Sequence, residues 1–137
     1  MSTLSVNTVK SLGSSAPVFQ NSSGNEKGQL AKAWVAWDSL STLSIYDDFN
    51  VSSITDDGVG NFTVNIDIDM ANNNYAVVCS TQGVGSVNGS NNIMQIHGSN
   101  QANRTTPAVG AFKCCILHPA NGVNQDVDRA AVVVFGD

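Results

Sequence analysis

The side chains best able to do chemistry at neutral pH are few in this chain. His97 and His118 are the only imidazoles in 137 residues. Nucleophilic catalysis needs a nucleophile, a base and an orienting group within hydrogen-bond reach. Neither histidine is accompanied by a Gly-x-Ser-x-Gly elbow. His97 precedes Gly98 and His118 precedes Pro119, so both read as strand-end surface residues, and no enzymatic activity is expected. Cys79 stands alone and Cys114-Cys115 are adjacent, with no C-x-x-C spacing for zinc. Neighbouring residues on a strand point to opposite faces, so the adjacent pair does not readily bridge. The three thiols are expected to be reduced, buried and packed as small apolar groups; a Cys79–Cys114 bridge stays open.

Carboxylates offer a second route to chemistry. On a strand, Asp67 and Asp69 project from one face with Cα atoms roughly 7 Å apart. That spacing suits calcium with neighbouring loop oxygens, and it equally suits a solvent-facing ladder continued by Asn61, Thr63 and Asn65. The ladder is the simpler reading, and no metal or cofactor is expected. Asp47-Asp48 and Asp56-Asp57 read as turn residues. A paired-carboxylate glycosidase needs one acid held in an apolar cleft, and no segment signals such a cleft.

Composition sets the frame for these residues. The chain is 42% hydrophobic but only 12% charged, about half the usual charged share. Its polarity comes from sixteen Asn, sixteen Ser, eight Thr and twelve Gly, residue types that favour turns and strands over long helices. The length fits one domain. A net charge of −5 argues against nucleic-acid binding, which needs a cationic footprint, and against an anionic membrane surface. The longest strongly apolar run, 130–135, is far short of the roughly 20 residues that span a bilayer. The start, Met1-Ser2-Thr3-Leu4-Ser5, lacks the apolar core of a secretory signal, so the expectation is that the chain is not secreted: it stays where it is made or leaves by another route. Five N-x-[ST] sequons begin at Asn21, Asn50, Asn61, Asn88 and Asn103; without such a signal they support no glycosylation.

The elements that would position any site read as strands. The clearest alternation covers 60–70, with Phe62, Val64, Ile66, Ile68 and Met70 on one face. Asp56-Asp57-Gly58 before it signals a hairpin with 51–55. Further strands are predicted at 30–37, 43–46, 75–80, 93–97, 111–118 and 130–135, with loops at 83–92 and 98–107 and a turn at 119–124. The fold class is therefore all-β: an antiparallel sandwich of seven or eight strands, jelly-roll-like, with an extended N-terminal arm. The domain reading is an arm over 1–28 and a head over 29–137.

The arm holds a possible short strand at 3–10 and then turn-rich stretches around Val18-Phe19. Such a segment cannot bury itself. Leu4, Val6, Val18 and Phe19 are its candidate anchoring residues, suited to strand addition on another chain. In the head, period-two alternation places Trp34 and Trp37 on opposite faces of one strand, which makes the pair candidates for a subunit interface, one filling the core and the other a contact. The loops carry Gln82, Asn88, Asn91, Gln101 and Arg104, small or adaptable polar residues on a rigid scaffold and candidates for facing a receptor.

The run Ala31-Lys32-Ala33-Trp34-Val35-Ala36-Trp37, followed by Ser44-Ile45-Tyr46-Asp47-Asp48-Phe49-Asn50-Val51 through Thr55-Asp56-Asp57-Gly58, Gly60-Asn61-Phe62-Thr63-Val64-Asn65-Ile66, Met70 and Asn74-Tyr75-Ala76-Val77-Val78, resembles a recurrent module of phage tail fibres. The ending Ala131-Val132-Val133-Val134-Phe135-Gly136-Asp137 is similar to how such modules close. The start Met1-Ser2-Thr3-Leu4 with Val6, and the stretch from Ala16-Pro17-Val18-Phe19 to Gly24, resemble openings of fibre-like proteins in phages of marine bacteria and cyanobacteria. The chain departs from the pattern at Asp38-Ser39-Leu40-Ser41-Thr42, where a Gly-rich turn is usual, and at Ala71, where proline is usual. Residues 79–129 carry no resemblance.

What the resemblance implies is a non-enzymatic virion structural protein: a small tail-fibre or appendage subunit, homotrimeric, joined to other virion proteins through its arm. Contact with a host surface glycan or protein is a further expectation. The alternatives are a capsid decoration or head-fibre protein, and a carbohydrate-binding receptor-binding tip.

Overall fold

The computed structural model describes residues 5–6, 8–10, 19–40, 42–82, 92–96, 106–119 and 121–136. It divides into two units, Met1–Leu30 and Ala31–Asp137.

In the first unit, β1 (Phe19–Gln20) pairs antiparallel with β2 (Glu26–Gly28). The turn between them is built by Asn21, whose side-chain oxygen accepts the backbone N–H groups of Ser23 at 3.1 Å and Asn25 at 2.9 Å. Gly24 supplies the left-handed residue, with φ of 77°. This stretch was expected to be turn-rich without strands, so the small hairpin is a difference. The expected strand over 3–10 is absent from its described part, residues 5–6 and 8–10. A strand needs a neighbouring ladder to take its backbone groups, and no described residue pairs with this stretch.

The second unit is an antiparallel β-sandwich, as its alternation implied. Its strands are β3 (Ala33–Asp38), β4 (Ser44–Phe49), β5 (Val51–Gly58), β6 (Asn61–Ile66), β7 (Ala76–Gln82), β8 (Ile93–Ile96), β9 (Ala111–Leu117) and β10 (Arg129–Phe135). Among the described residues they form two four-stranded sheets, in the orders β4-β3-β10-β7 and β5-β6-β9-β8. The first and last strands of the unit lie side by side, with Val132 opposite Val35.

Between the sheets the core collects Ala33, Val35 and Trp37 from β3, Val51 and Ile54 from β5, Phe62, Val64 and Ile66 from β6, Phe112, Cys114 and Ile116 from β9, and Ala130, Val132 and Val134 from β10, with Val77 and Cys79 of β7 packed against them. Two edge-to-face aromatic pairs key the layers, Trp37–Phe62 at 5.7 Å and Tyr75–Phe112 at 6.1 Å between ring centroids. Each fully buried large side chain contributes roughly 1.5–3 kcal/mol.

Two corners depart from the sequence reading. The hairpin before β6 exists, but its turn falls on Val59-Gly60 rather than Asp56-Asp57-Gly58. Gly60 has φ of 65°, and a Cβ there would stand 2.6 Å from the Ile116 carbonyl oxygen, so glycine is required on both counts. Its N–H donates to Asp126 Oδ1 at 2.8 Å. The expected strand over 60–70 stops at Ile66. Asn50, the single residue between β4 and β5, has φ of 55°. Its side chain accepts the N–H of Ile68 at 2.7 Å and donates to the carbonyls of Lys32 and Ile68. That clamp bends the chain after Ile66, leaves Ile68 73% exposed and returns Met70 to the core. Asp67 and Asp69 are exposed beyond the strand end, so they are not part of the expected ladder.

Candidate functional site

The outward side of the β4-β3-β10-β7 sheet is built by parity. Because Ala33, Val35 and Trp37 face the core, Trp34 and Ala36 must face away, and likewise Val133 and Val78. Register then aligns Phe49, Trp34, Val133 and Val78 as one row across all four strands. Paired side chains in such rows stand roughly 4.5–5.5 Å apart at Cβ, so the row is a continuous apolar stripe. Phe49 is 54% and Val78 58% exposed, while Trp34 and Val133 are half-buried. Phe135 extends the apolar surface beside Ala76.

Asp47 stands opposite Ala36 one row from this stripe, and further polar and charged groups gather at the far end of the face. There the single hydrogen of the Tyr46 hydroxyl is shared between two acceptors, Asp38 Oδ2 at 3.2 Å and the Asp128 carbonyl at 3.0 Å. The Arg129 guanidinium lies 5.4 Å from the centre of the Tyr46 ring, within cation–π range. Gln82 sits on the same end, opposite Arg129, and is exposed.

The outward side of the β5-β6-β9-β8 sheet is polar over β5 and β6, whereas on β8 and β9 it also carries Ile93, 44% exposed, opposite Leu117. Asn65 Nδ2 donates to Ser53 Oγ at 3.0 Å and Thr55 Oγ1 at 3.1 Å. Thr63 Oγ1 donates to Asp57 Oδ2 at 2.6 Å, and Lys113 Nζ donates to the same oxygen at 3.2 Å. The Thr63 hydroxyl, with Lys113 beyond it, holds the Asp57 carboxyl below the usual range against the opposing pull of burial.

The sequence-derived candidates therefore separate. Trp34 lies on the apolar outer face. Trp37 is fully buried against Phe62 and leaves the interface pair, because a side chain enclosed between two sheets has no surface to offer a partner. Val6 and Phe19 are 53% and 49% exposed. Leu4, Val18, Asn88, Asn91, Gln101 and Arg104 lie outside the described residues, as does His97. His118 is half-buried beyond the end of β9, where its N–H donates to the Val123 carbonyl.

The thiols pack as the sequence suggested. Cys79, Cys114 and Cys115 are all free. Burial raises Cys79 to about 11 and pushes Cys114 and Cys115 up as well, so none is a thiolate nucleophile at neutral pH. Among the described residues, no three His, Cys, Asp or Glu side chains gather as metal ligands. Three sequon asparagines are engaged in local hydrogen bonds: Asn21 and Asn50 as above, and Asn61, which donates to the Val59 carbonyl at 2.9 Å.

Sequence reasoning missed Phe49, Val133 and Val78. Strand parity could have flagged Val133 and Val78, but their alignment with Trp34 depends on which strands neighbour β10. No family model, curated protein or solved structure matches the chain.

Proposed function

We propose that the chain is a non-enzymatic structural subunit of a phage particle, a small tail-fibre or appendage component whose head self-associates as a homotrimer. The observation that carries this reading is the apolar row Phe49–Trp34–Val133–Val78 on an outward sheet face. Contiguous exposed apolar surface on a β-sheet costs solubility and invites pairing unless a protein partner covers it. Aromatic side chains at the centre of such a patch dominate association energy. On this chain of net charge −5, the row itself carries no charge, and Asp47 stands one row away, opposite Ala36.

The resemblance of 31–78 to tail-fibre modules supports a virion location, and the first unit then serves as the attachment to another virion protein. Light scattering on the full chain at micromolar concentration tests the assembly. A mass of three chains is expected, and a stable, folded monomer overturns it. Deleting residues 1–24 is expected to leave a β-rich trimer that particles no longer take up. Normal incorporation of that deletion overturns the role of the arm.

A further inference from the structure

The outward face of the β4-β3-β10-β7 sheet has two unlike ends. Its strands alternate in direction at every step, so β4 and β7, the first and fourth, run opposite ways. Among the described residues each of these two strands pairs on one side only, and such an edge is open to a strand from another chain. The β4 edge is acidic, with Asp47 and Asp48 both exposed. The β7 edge, Ala76–Gln82, carries no charged residue, and its register with β10 runs through all seven positions without a shift. Two copies that meet β4 to β4 set Asp47 and Asp48 against their own duplicates. A β4 edge against a β7 edge brings no like charges together.

Register extends this contrast residue by residue. The apolar row ends in Phe49 on β4 and in Val78 on β7. The next row reads Asp47, Ala36, Ala131, Ser80, so it ends in a carboxylate on one edge and a hydroxyl on the other. Asp47 Oδ1 accepts the N–H of Asp48 at 3.0 Å, and among the described residues Oδ2 takes no donor. Val78 and Ser80 share the outward face and are exposed, as are Phe49 and Asp47. With the two edges side by side, both rows continue from copy to copy. Val78 then meets the ring of Phe49, and the Ser80 hydroxyl meets the free oxygen of Asp47. Because β4 and β7 run in opposite directions, copies related by an axis along the strands keep antiparallel order across each junction. Three such steps close a ring.

We infer that the heads join edge to edge, the β4 edge of one copy against the β7 edge of the next, with Asp47 accepting from Ser80 of the adjoining copy. The inference rests on the homotrimer reading and adds which surfaces meet and in what register. The test uses Ser80→Lys and Ser80→Asp in the full chain, with mass read by light scattering at micromolar concentration. Ser80→Lys is expected to keep the wild-type mass, because the introduced amine meets Asp47. Ser80→Asp sets a second carboxylate there and is expected to raise the dissociation constant by about tenfold or more, and adding Asp47→Asn is expected to restore the mass. Within one chain, three strand spacings put Asp47 and Ser80 about 14 Å apart, so a direct bond between these positions forms only between copies. A carbodiimide joins an amine to a carboxylate as an amide and takes up the water lost as its urea. On Ser80→Lys it is expected to give linked dimers and trimers on a denaturing gel, with Asp47 found in the linked peptide by mass spectrometry. A wild-type trimer that both Ser80 variants disrupt alike, as a β7-to-β7 contact requires, overturns the inference and leaves the trimer standing. So does a trimer that neither variant disturbs, or one that the carbodiimide does not link through Asp47. A wild-type monomer removes the homotrimer reading and this inference together.

Discussion

Across the β4-β3-β10-β7 sheet one outward row reads Phe49, Trp34, Val133, Val78; across the β5-β6-β9-β8 sheet a corresponding row reads Thr55, Thr63, Lys113. Both sheets press equally apolar faces on the shared core, so the requirement to fold does not explain the contrast. The polar face satisfies itself, with Asn65 bridging Ser53 and Thr55 and with Asp57 holding Thr63 and Lys113. It remains soluble with hydrogen-bonding groups to spare. The apolar face has no comparable satisfaction in water. Outward chemistry, freed from the core, is where the two halves of the sandwich differ.

The sharpest way to break the comparison is to remove each tryptophan of β3 in turn. Trp37→Ala empties the site against Phe62 and is expected to cost about 3–5 kcal/mol, read as a lowered denaturant midpoint at unchanged slope. Trp34→Ala is expected to leave the isolated head within about 1 kcal/mol of wild type, because its side chain is outside the core. Its effect should fall on assembly, with a dissociation constant raised by about tenfold or more. Equal losses of chain stability from both variants would mean that the outer face is not distinct from the core.

A subtler change places a charge on the stripe. Val78→Asp, at a 58% exposed position, is expected to shift the unfolding free energy by no more than about 0.5 kcal/mol. In a homotrimer it sets like charges against one another, and the mass by light scattering is expected to fall toward one chain. The matching substitution on the polar face, Thr55→Asp, is expected to leave the mass unaltered. A trimer that survives Val78→Asp would remove the row from the interface.

The interior shared by both sheets gives an alkaline prediction. Burial raises Cys79 to about 11 and Tyr75 to about 12, while in the unfolded chain these groups ionise near 8.5 and near 10 as ordinary thiol and phenol. Above about pH 9 the unfolded state therefore releases protons that the folded state retains, and stability falls as pH rises. The urea midpoint is expected to drop steadily between about pH 9 and 11, and Cys79→Ala is expected to flatten the lower part of that fall. At pH 8 all three thiols are expected to react slowly with iodoacetamide, half-buried Cys79 first.

How far the sequence revealed this arrangement depends on the range of the interactions. Period-two alternation gave β6 as far as Ile66 and divided Trp34 from Trp37, because parity is local. It failed at Ile68, whose exposure is imposed by Asn50 reaching across from another corner. It misplaced the hairpin turn by two residues, since the tight approach of Gly60 to Ile116 and Gln125 is a tertiary constraint. The turn chemistry of Asn21, Gly24 and Asn25 is legible, but the two short strands that flank it, β1 and β2, are not, because they are only two and three residues long. The apolar row was illegible because it joins residues from strands that are distant in sequence, so it exists only once strand order and register are known.

The smallest effect expected is on the polar face. Asp57 accepts from Thr63 and Lys113, and its carboxyl is held below the ordinary range chiefly by the Thr63 hydroxyl. A carboxylate depressed in the folded state stabilises it above the unfolded pKa, and that contribution disappears as pH falls through the folded value. The group is at the surface and screened, so its share is roughly 0.2–1 kcal/mol at most. Asp57→Asn is expected to lower the midpoint slightly at pH 7 and to have no effect near pH 2, where the wild-type carboxyl is protonated as well. High salt should shrink the pH 7 difference by weakening the Lys113 contact, while the Thr63 hydrogen bond persists. A pH 7 difference that is unchanged near pH 2 would trace the effect to side-chain shape rather than charge, and the polar face would then owe its order to the Asn65 and Thr63 hydrogen bonds alone.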